Sequence, residues 1–177
     1  MIQRPALRLV EGGIDTTADW LWFCGHCAAP SPNGAAPPPT ARVCTSCGLG
    51  LLLEAREDAV PSDRDAFMVV DSALLVQAMS REAQSLLAVT EEMAIDKPVG
   101  ELLVPADTEA GRTGFAAAIA MAAEGQDPET ARSMVRPWNT FGVRLRAKIA
   151  TCGPPRAALV VLENGRPPAL RAVTSPR

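Results

Sequence analysis

The chain has 177 residues, 47% of them apolar, which is enough for one ordinary domain with a packed core and a small module beside it. Its net charge of −3 gives no overall basic bias toward nucleic acid or anionic membranes. We see no apolar signal region at the N-terminus and no apolar run long enough to span a bilayer. We therefore expect a soluble, cytoplasmic protein that does not bind a membrane.

Two CxxC motifs near the N-terminus contain four of the five cysteines. These cysteines are Cys24, Cys27, Cys44 and Cys47. Two such pairs at this separation can place four thiolates around one ion, in the tetrahedral geometry that zinc prefers. In a reducing compartment, paired cysteines bind metal more often than they form disulfides. The motifs therefore predict a structural zinc site without an open coordination position, and residues 19–54 resemble a zinc ribbon.

Two other interpretations of the cysteines stay open. An iron site of the rubredoxin type uses the same four ligands. The letters Cys24-Gly25-His26-Cys27 also match the active-site motif of protein disulfide isomerases. That redox chemistry needs the first thiolate at a helix N-terminus, whereas the proline-containing residues 28–32 make a poor helix. Because the cysteines already fill a tetrahedron, we interpret His26 as an exposed residue at the tip of its turn.

The segments around the cysteines complete the prediction for this part of the chain. Residues 1–18 are predicted to be a flexible N-terminus, residues 28–42 a proline-rich loop, and residues 55–64 a charged linker. Three large aromatic side chains precede the first motif: Trp20, Trp22 and Phe23. They exceed what so small a module can bury, so we predict that they form an interface with the module, the following domain or another subunit.

From residue 66 onward the pattern predicts strands, then helices, then strands. The predicted elements are strands at 67–70 and 73–79, a helix capped by Ser80, a helical turn capped by Thr90, a helix from Asp107 to Glu124 ended by Gly125, and strands at 143–149 and 157–162. Residues 164–177 are predicted to be a disordered tail. Strands at both ends with helices between them favour an α+β fold, in which an antiparallel sheet carries helices on one face.

Residues 67–107 resemble the first half of a PAS domain. The residues that carry this resemblance are Phe67-Met68-Val69-Val70-Asp71, Ser80-Arg81-Glu82-Ala83 with Leu86-Leu87, Glu91-Glu92-Met93, Ile95-Asp96-Lys97-Pro98-Val99, Glu101-Leu102-Leu103 and Pro105-Ala106-Asp107. The order of the later elements extends the resemblance over residues 65–163. Ser80 stands where the family often has asparagine, and Ala88 and Asp96 stand where it often has glycine. The resemblance implies signal input or partner contact rather than turnover.

The sequence predicts a non-enzymatic regulatory protein. The PAS-like region has no histidine, which excludes a histidine-ligated haem there, and we interpret Cys152 as a small apolar residue, so neither haem nor flavin is expected. We expect the PAS-like domain to sense a small apolar ligand or to form a homodimer, and the ribbon to contact another protein. The alternative is a transcriptional regulator that binds nucleic acid through the ribbon, where Arg42 is the one cation. A thiol oxidoreductase is a third hypothesis.

Two further patterns lie within the PAS-like region. The most basic stretch contains Arg132, Arg136, Arg144, Arg146 and Lys148. We interpret it as a solvated strand face, with contact to nucleic acid or to an acidic partner as the alternative. Five methionines are predicted to fill the core: Met68, Met79, Met93, Met121 and Met134.

Overall fold

A computed structural model describes residues 20–106, 114–126 and 130–164. The strands are β1 (Trp20–Cys24), β2 (Leu52–Arg56), β3 (Ala66–Val70), β4 (Val76–Met79), β5 (Leu103–Pro105), β6 (Ala131–Pro137), β7 (Leu145–Gly153) and β8 (Ala157–Asn164). The helices are α1 (Arg81–Leu87), α2 (Glu91–Ala94) and α3 (Phe115–Glu124), with short 3-10 turns at Pro32–Gly34, Glu57–Ala59 and Val99–Glu101. The predicted flexible N-terminus at 1–18 lies outside the described residues, as does the predicted tail at 164–177 except for Asn164, which ends β8. None of the described helices has the length and apolarity needed to cross a membrane.

The eight strands of the described ranges form one antiparallel sheet in the order β1-β2-β7-β8-β3-β4, with β6 and β5 attached beside β7. Strand β8 pairs along one whole edge of β7. The other edge of β7 pairs first with β6, at residues 145–149, and then with β2, at residues 152–153. This pairing confirms the predicted antiparallel sheet, in which β3 and β4 form a hairpin.

One face of the sheet packs against the helices and contains the main core. Alternate residues of β3, β7 and β8 are buried there, as expected when side chains alternate between the two faces of a strand. Helix α3 covers them with an apolar stripe of Phe115, Ala118, Ile119 and Ala122, all of which are buried. We call this the inner face, and its helical cover confirms the predicted layering.

The opposite, outer face is covered in part by residues 20–56, which we call the cysteine module. Module residues Phe23 and Ala55 are buried in the same cluster as Phe67, Val69 and Leu159 of the sheet. The rings of Phe23 and Phe67 meet edge to face, with centroids 6.4 Å apart. The cysteine module therefore packs directly on the sheet.

Ser80 caps α1 as predicted and also ties this helix to the sheet. Its hydroxyl oxygen accepts hydrogen bonds from the N–H groups of Ala83 at 3.2 Å and Phe67 at 3.0 Å, and the hydroxyl donates to the carbonyl of Asp65 at 3.1 Å. The side chain is buried and fully satisfied, so the cap links the start of α1 to β3.

The turns in the PAS-like region agree with the glycine preferences that the resemblance implies. Ala88 and Asp96 adopt left-handed backbone conformations, with φ of 52° and 60°. Gly125, with φ of 72°, ends α3 as predicted. Ala88 and Asp96 therefore adopt the left-handed backbone conformation that glycine adopts most easily.

Several element boundaries differ from the predictions. Strand β4 begins at Val76 rather than residue 73, because the Asp71 carboxylate accepts hydrogen bonds from the N–H groups of Ala73 and Leu75 and holds a wider turn. Helix α3 begins at Phe115, directly after its extended N-cap Gly114, and the predicted start at Asp107 lies outside the described residues.

Strand β2 continues through Arg56, so the first two residues of the predicted linker lie in the sheet. The reason is that Ala55 is fully buried and pairs with Cys152 of β7. The wider division of the chain into two modules stays a prediction. Strands β5 and β6 were not predicted by the pattern.

The prediction of five core methionines holds only in part. Met68 and Met79 are fully buried, whereas the side chains of Met93 and Met121 are 58% and 39% exposed. Both exposed residues lie on helices, at positions that do not face the core. Core filling is therefore wrong for Met93 and Met121.

Candidate metal centre

Each CxxC motif lies on a hairpin turn, and the pairing of β1 with β2 brings the two turns together. At the first turn, residues 24–27, the N–H of Cys24 donates to the carbonyl of Ala29 at 2.9 Å. At the second, residues 44–47, the N–H of Cys44 donates to the carbonyl of Gly50 at 2.8 Å. Cys24 lies opposite Leu52 in the β1–β2 ladder, so both cysteine pairs lie at the same end of the module.

The four cysteine sulfurs converge on one point. All four Sγ atoms lie within 4.8 Å of one another. The Cys24–Cys47 sulfur distance is 3.7 Å and the Cys27–Cys44 distance is 3.9 Å. A tetrahedral zinc ion with Zn–S bonds of about 2.3 Å holds its sulfurs about 3.8 Å apart. All four are free thiols, well beyond the S–S bond length of about 2.05 Å, so their arrangement fits a metal ion and not disulfides.

Backbone N–H groups point at two of these sulfurs. The N–H groups of His26 and Cys27 lie 3.4 and 3.5 Å from Cys24 Sγ, and that of Gly50 lies 3.5 Å from Cys47 Sγ. Such donors stabilise thiolates, which are the species that bind metal. Position 50 also has no room for a side chain, because a Cβ there would lie 2.4 Å from Cys24 Sγ, so glycine is needed at this position.

The thiols of the cluster differ in how readily they ionise. Burial raises the pKa of Cys24 and of Cys27. Burial also opposes ionisation of Cys47, but hydrogen bonds from the N–H groups of Gly50 and Leu49, together with those from the Cys27 and Cys24 thiols, outweigh it and lower the pKa of Cys47 to about 6. A bound cation would supply the positive charge that lets all four sulfurs ionise together.

The donor set therefore fits one closed, four-sulfur site of the kind that zinc occupies in structural centres. The structure brings all four predicted ligands together. With four protein ligands no position remains for a substrate, so an ion here would hold structure rather than catalyse.

The geometry of the first turn disfavours thiol redox chemistry. After Cys27 the chain turns through Ala28, with φ of 59°, and returns to place Pro30 against Phe23. No helix starts at Cys24, whose pKa is raised by burial rather than lowered. The helix N-terminus that activates the first thiolate of a redox CxxC motif is therefore missing at this one.

His26 contacts the PAS-like region instead of lying exposed at the tip of its turn. Its Nδ1 lies 3.0 Å from Glu91 Oε2, and Glu91 Oε1 accepts the N–H of Met79 at 2.9 Å. The prediction of an exposed histidine is wrong because the cysteine module folds back onto β4 and α2, leaving the side chain 19% exposed. Glu91 is 65 positions away in the chain, so no local pattern could have identified this partner.

The three predicted interface aromatics have different surroundings. Phe23 is buried against the sheet, so its contact is within the chain. Trp22 is half-buried, with the Arg42 guanidinium carbon 5.8 Å from its ring centroid. Trp20 stays 47% exposed on the outermost strand of the sheet. Contact of Trp20 or Trp22 with another subunit stays a prediction.

A cavity of about 440 Å³ lies between the first cysteine turn and the outer face of the sheet beside β4. Leu51, Val69 and Ala78 contribute apolar wall, and the paired side chains of His26 and Glu91 contribute polar wall. Sites for small molecules typically have volumes of about 300–1,000 Å³ with mostly apolar walls. The cavity is therefore large enough to hold a small organic molecule.

Two solved structures are similar to part of this chain. The PAS domain of a protein from Colwellia psychrerythraea is 21% identical, with a TM-score of 0.44, over 56% of this chain and 85% of that one. The PAS domain of nitrogen regulation protein NR(II) from Vibrio parahaemolyticus is 12% identical, with a TM-score of 0.42, over 56% of this chain and 88% of that one. No family model and no curated protein matches the sequence. Similarity at these identities and TM-scores does not show the activity, ligand or partner of this chain.

Proposed function

We propose that this chain is a non-enzymatic regulatory protein. In this proposal a structural zinc ion holds the cysteine module on a PAS-like domain that senses a small ligand or forms a dimer. The observation that carries the proposal is the convergence of four free thiols within 4.8 Å, in a closed set with no open position. Free thiols that bind metal fit a reducing compartment, so we place the protein in the cytoplasm.

The second cysteine turn offers a surface through which the module can act as an adaptor. The side chains of Val43, Leu49 and Leu51 flank this turn and are 53%, 74% and 47% exposed. Apolar side chains clustered on a small module are typical of protein contact sites. This exposure supports contact with another protein as the output of the molecule.

The cavity beside the first cysteine turn supports the sensing role. It is bounded by the cysteine module on one side and by the sheet on the other, so a ligand there would contact both. A small, largely apolar molecule matches its walls. We propose this cavity as the place where ligand binding is coupled to the position of the module.

The alternative role, nucleic-acid binding through the ribbon, gains little support from the geometry. Arg42 donates to the carbonyl oxygens of Leu52 and Pro154 and lies over Trp22, so its guanidinium is committed within the chain. Salt-dependent retention on a nucleic-acid column, lost in Cys44→Ser, would bring this alternative forward.

Native mass spectrometry of protein purified under reducing conditions tests the proposal, because it reports metal, retained small molecules and subunit count together. We expect one zinc per chain and a dimer. The Cys44→Ser variant should lose the metal, whereas Cys152→Ala, which changes the cysteine outside the cluster, should retain it. Metal-free protein whose four thiols are joined as disulfides, or steady reduction of insulin disulfides by the purified protein, would overturn the proposal.

A further inference from the structure

A cationic surface with exposed aromatic side chains lies on strands β6 and β7 and on the loop that connects them. We call it the basic–aromatic surface, and it consists of Arg132, Arg136, Arg146, Lys148, Trp138 and Phe141. In the β6–β7 ladder Arg132 lies opposite Lys148, and Arg146 lies opposite Met134. The neighbouring residue Val135 is buried in the main core, so by alternation these cations lie on the outer face of the sheet.

The cations are placed where they repel one another. Like charges directly opposite each other on antiparallel strands are destabilising, and Arg132 and Lys148 form such a pair. Glu163 on β8 approaches Arg146 at 3.9 Å and balances part of the charge. No described residue forms an ion pair with Arg132 or Lys148. An anionic group bound at this surface would relieve the repulsion.

The aromatic side chains beside the cations are held in an exposed position. Trp138 is 63% exposed and Phe141 is 86% exposed. The Arg136 guanidinium lies over the Phe141 ring at 5.3 Å and donates to the carbonyl oxygen of Trp138 at 3.4 Å. Arg136 therefore holds the loop between β6 and β7 in place without burying Trp138 or Phe141. Both rings remain available for contact with a partner.

These observations favour one class of partner over two others. A second copy of the chain docked through the same surface would place cations against cations, which opposes a symmetric dimer here. A nucleic acid would extend beyond the patch over a chain whose net charge is −3. Arginine together with tryptophan, phenylalanine and methionine is instead the composition enriched at the centre of protein interfaces.

We infer that the basic–aromatic surface binds an acidic segment of a partner protein. The carboxylates of the segment pair with Arg132, Arg146 and Lys148, and its apolar side chains pack on Trp138 and Phe141. None of these residues belongs to the cysteine module, so the inference stands whether or not the four cysteines bind zinc. The sequence pattern alone favours a solvated strand face for this basic stretch, whereas the structure supports a binding function for it.

Fluorescence anisotropy with labelled peptides and the full chain tests this inference. The probe is a peptide of about 15 residues in which Glu and Asp are interspersed with Leu and Phe, and its matched control replaces every acid by Lys. We expect the acidic peptide alone to bind, and its affinity to fall as salt is raised from low to physiological concentration. The double variant Arg146→Glu/Lys148→Glu should weaken binding about tenfold or more, and Trp138→Ala should weaken it about tenfold.

Matched variants elsewhere separate this surface from a general effect of charge or exposed rings. Arg81→Glu reverses an exposed arginine on α1, and Trp20→Ala removes the half-exposed tryptophan of the cysteine module. Both should leave peptide affinity unchanged. Equal binding of the acidic and basic peptides, or insensitivity to Arg146→Glu/Lys148→Glu, would overturn the inference. Tighter binding of a labelled single-stranded thymidine oligonucleotide than of the acidic peptide would also overturn it and would identify a nucleic-acid surface instead.

Discussion

The inner face of the sheet and the cysteine module are held together by different forces. The inner face shares one continuous apolar core with α1, α2 and α3. The cluster around the cysteines contains only Cys24, Cys44 and Leu52 as buried members. Apolar burial can therefore account for the fold of the PAS-like region, whereas the residues around the cysteines have too little core of their own to fold without a metal ion. We therefore expect removal of the metal to unfold the cysteine module and to leave the PAS-like region largely folded.

The two regions are nevertheless joined across the outer face. Phe23 packs on Phe67, and Ala55 pairs with Cys152, so the module contributes both a ring contact and strand hydrogen bonds to the sheet. Loss of the module would expose apolar residues of the outer face to water. Substitutions in each region can therefore separate the stability that the metal provides from the stability that the apolar core provides.

Removing one metal ligand should have the largest effect. Cys44→Ser should abolish metal binding and with it about 10 kcal/mol or more of metal-derived folding free energy, so that residues 20–56 unfold. Limited proteolysis should then cut within this range while the PAS-like region resists. Cys152→Ala is the control and should retain both metal and resistance. Resistance of residues 20–56 in metal-free Cys44→Ser would show that the module has an adequate core of its own.

A cavity in the inner core should produce the opposite pattern. Ile119 is fully buried in α3, and Ile119→Ala should lower the free energy of unfolding of the PAS-like region by about 2–5 kcal/mol. The metal-to-chain ratio should not change, because Ile119 belongs to the inner-face core and not to the cluster around the cysteines. Chemical denaturation followed by circular dichroism, with elemental analysis of the same sample, checks both parts. Loss of metal in this variant would contradict the separation of the two regions.

Gly50 offers a smaller and more local change. A Cβ at this position would lie 2.4 Å from Cys24 Sγ, so Gly50→Ala should displace that ligand and weaken metal affinity about 10–100-fold. Gly100→Ala is the matched control, since no atom lies within 4 Å of a Cβ there. Competition with a chromophoric chelator measures both affinities, and equal affinities would show that the sulfur positions are not constrained by this glycine.

The ion pair between His26 and Glu91 should contribute least. Glu91→Gln removes the charge but keeps an oxygen to accept the Met79 N–H, so it should cost less than about 1 kcal/mol, as partly exposed ion pairs do. Glu91→Ala also leaves the Met79 N–H without its acceptor and should cost about 1–3 kcal/mol. Urea denaturation compares the two variants. Equal losses in the two variants would mean that the charge of Glu91, and not its hydrogen bond to Met79, sets its contribution.

Local chemistry explains which features could be predicted from sequence. The CxxC spacing predicts the convergence of four sulfurs, because few residues separate each pair and a hairpin turn fixes their geometry. Ser80 and Gly125 mark helix ends through the properties of their own side chains. The alternation over 143–149 predicts a strand with one buried face, and the burial pattern agrees from Leu145 onward, whereas Val143 precedes β7 and is exposed.

Tertiary contacts explain what sequence patterns missed. Ala55 meets Cys152, and His26 meets Glu91, across separations that leave no periodic signal. The sequence pattern does not predict strand β6, because the cations Arg132 and Arg136 interrupt its apolar residues. The exposure of Trp138 and Phe141 became visible only once the loop was placed beside the outer face. The one sequence signal for this exposed loop is the aromatic, turn-rich segment from Trp138 to Gly142.

Hydrogen–deuterium exchange before and after chelation, under reducing conditions, tests the central claim most directly, namely that a metal ion holds the cysteine module while apolar burial holds the sheet. The account predicts that chelation removes protection from the amides of β1 and β2 and leaves that of β3, β7 and β8 near its original level. Unchanged protection of β1 and β2 in protein shown to be metal-free, or loss of protection throughout the sheet, would contradict it.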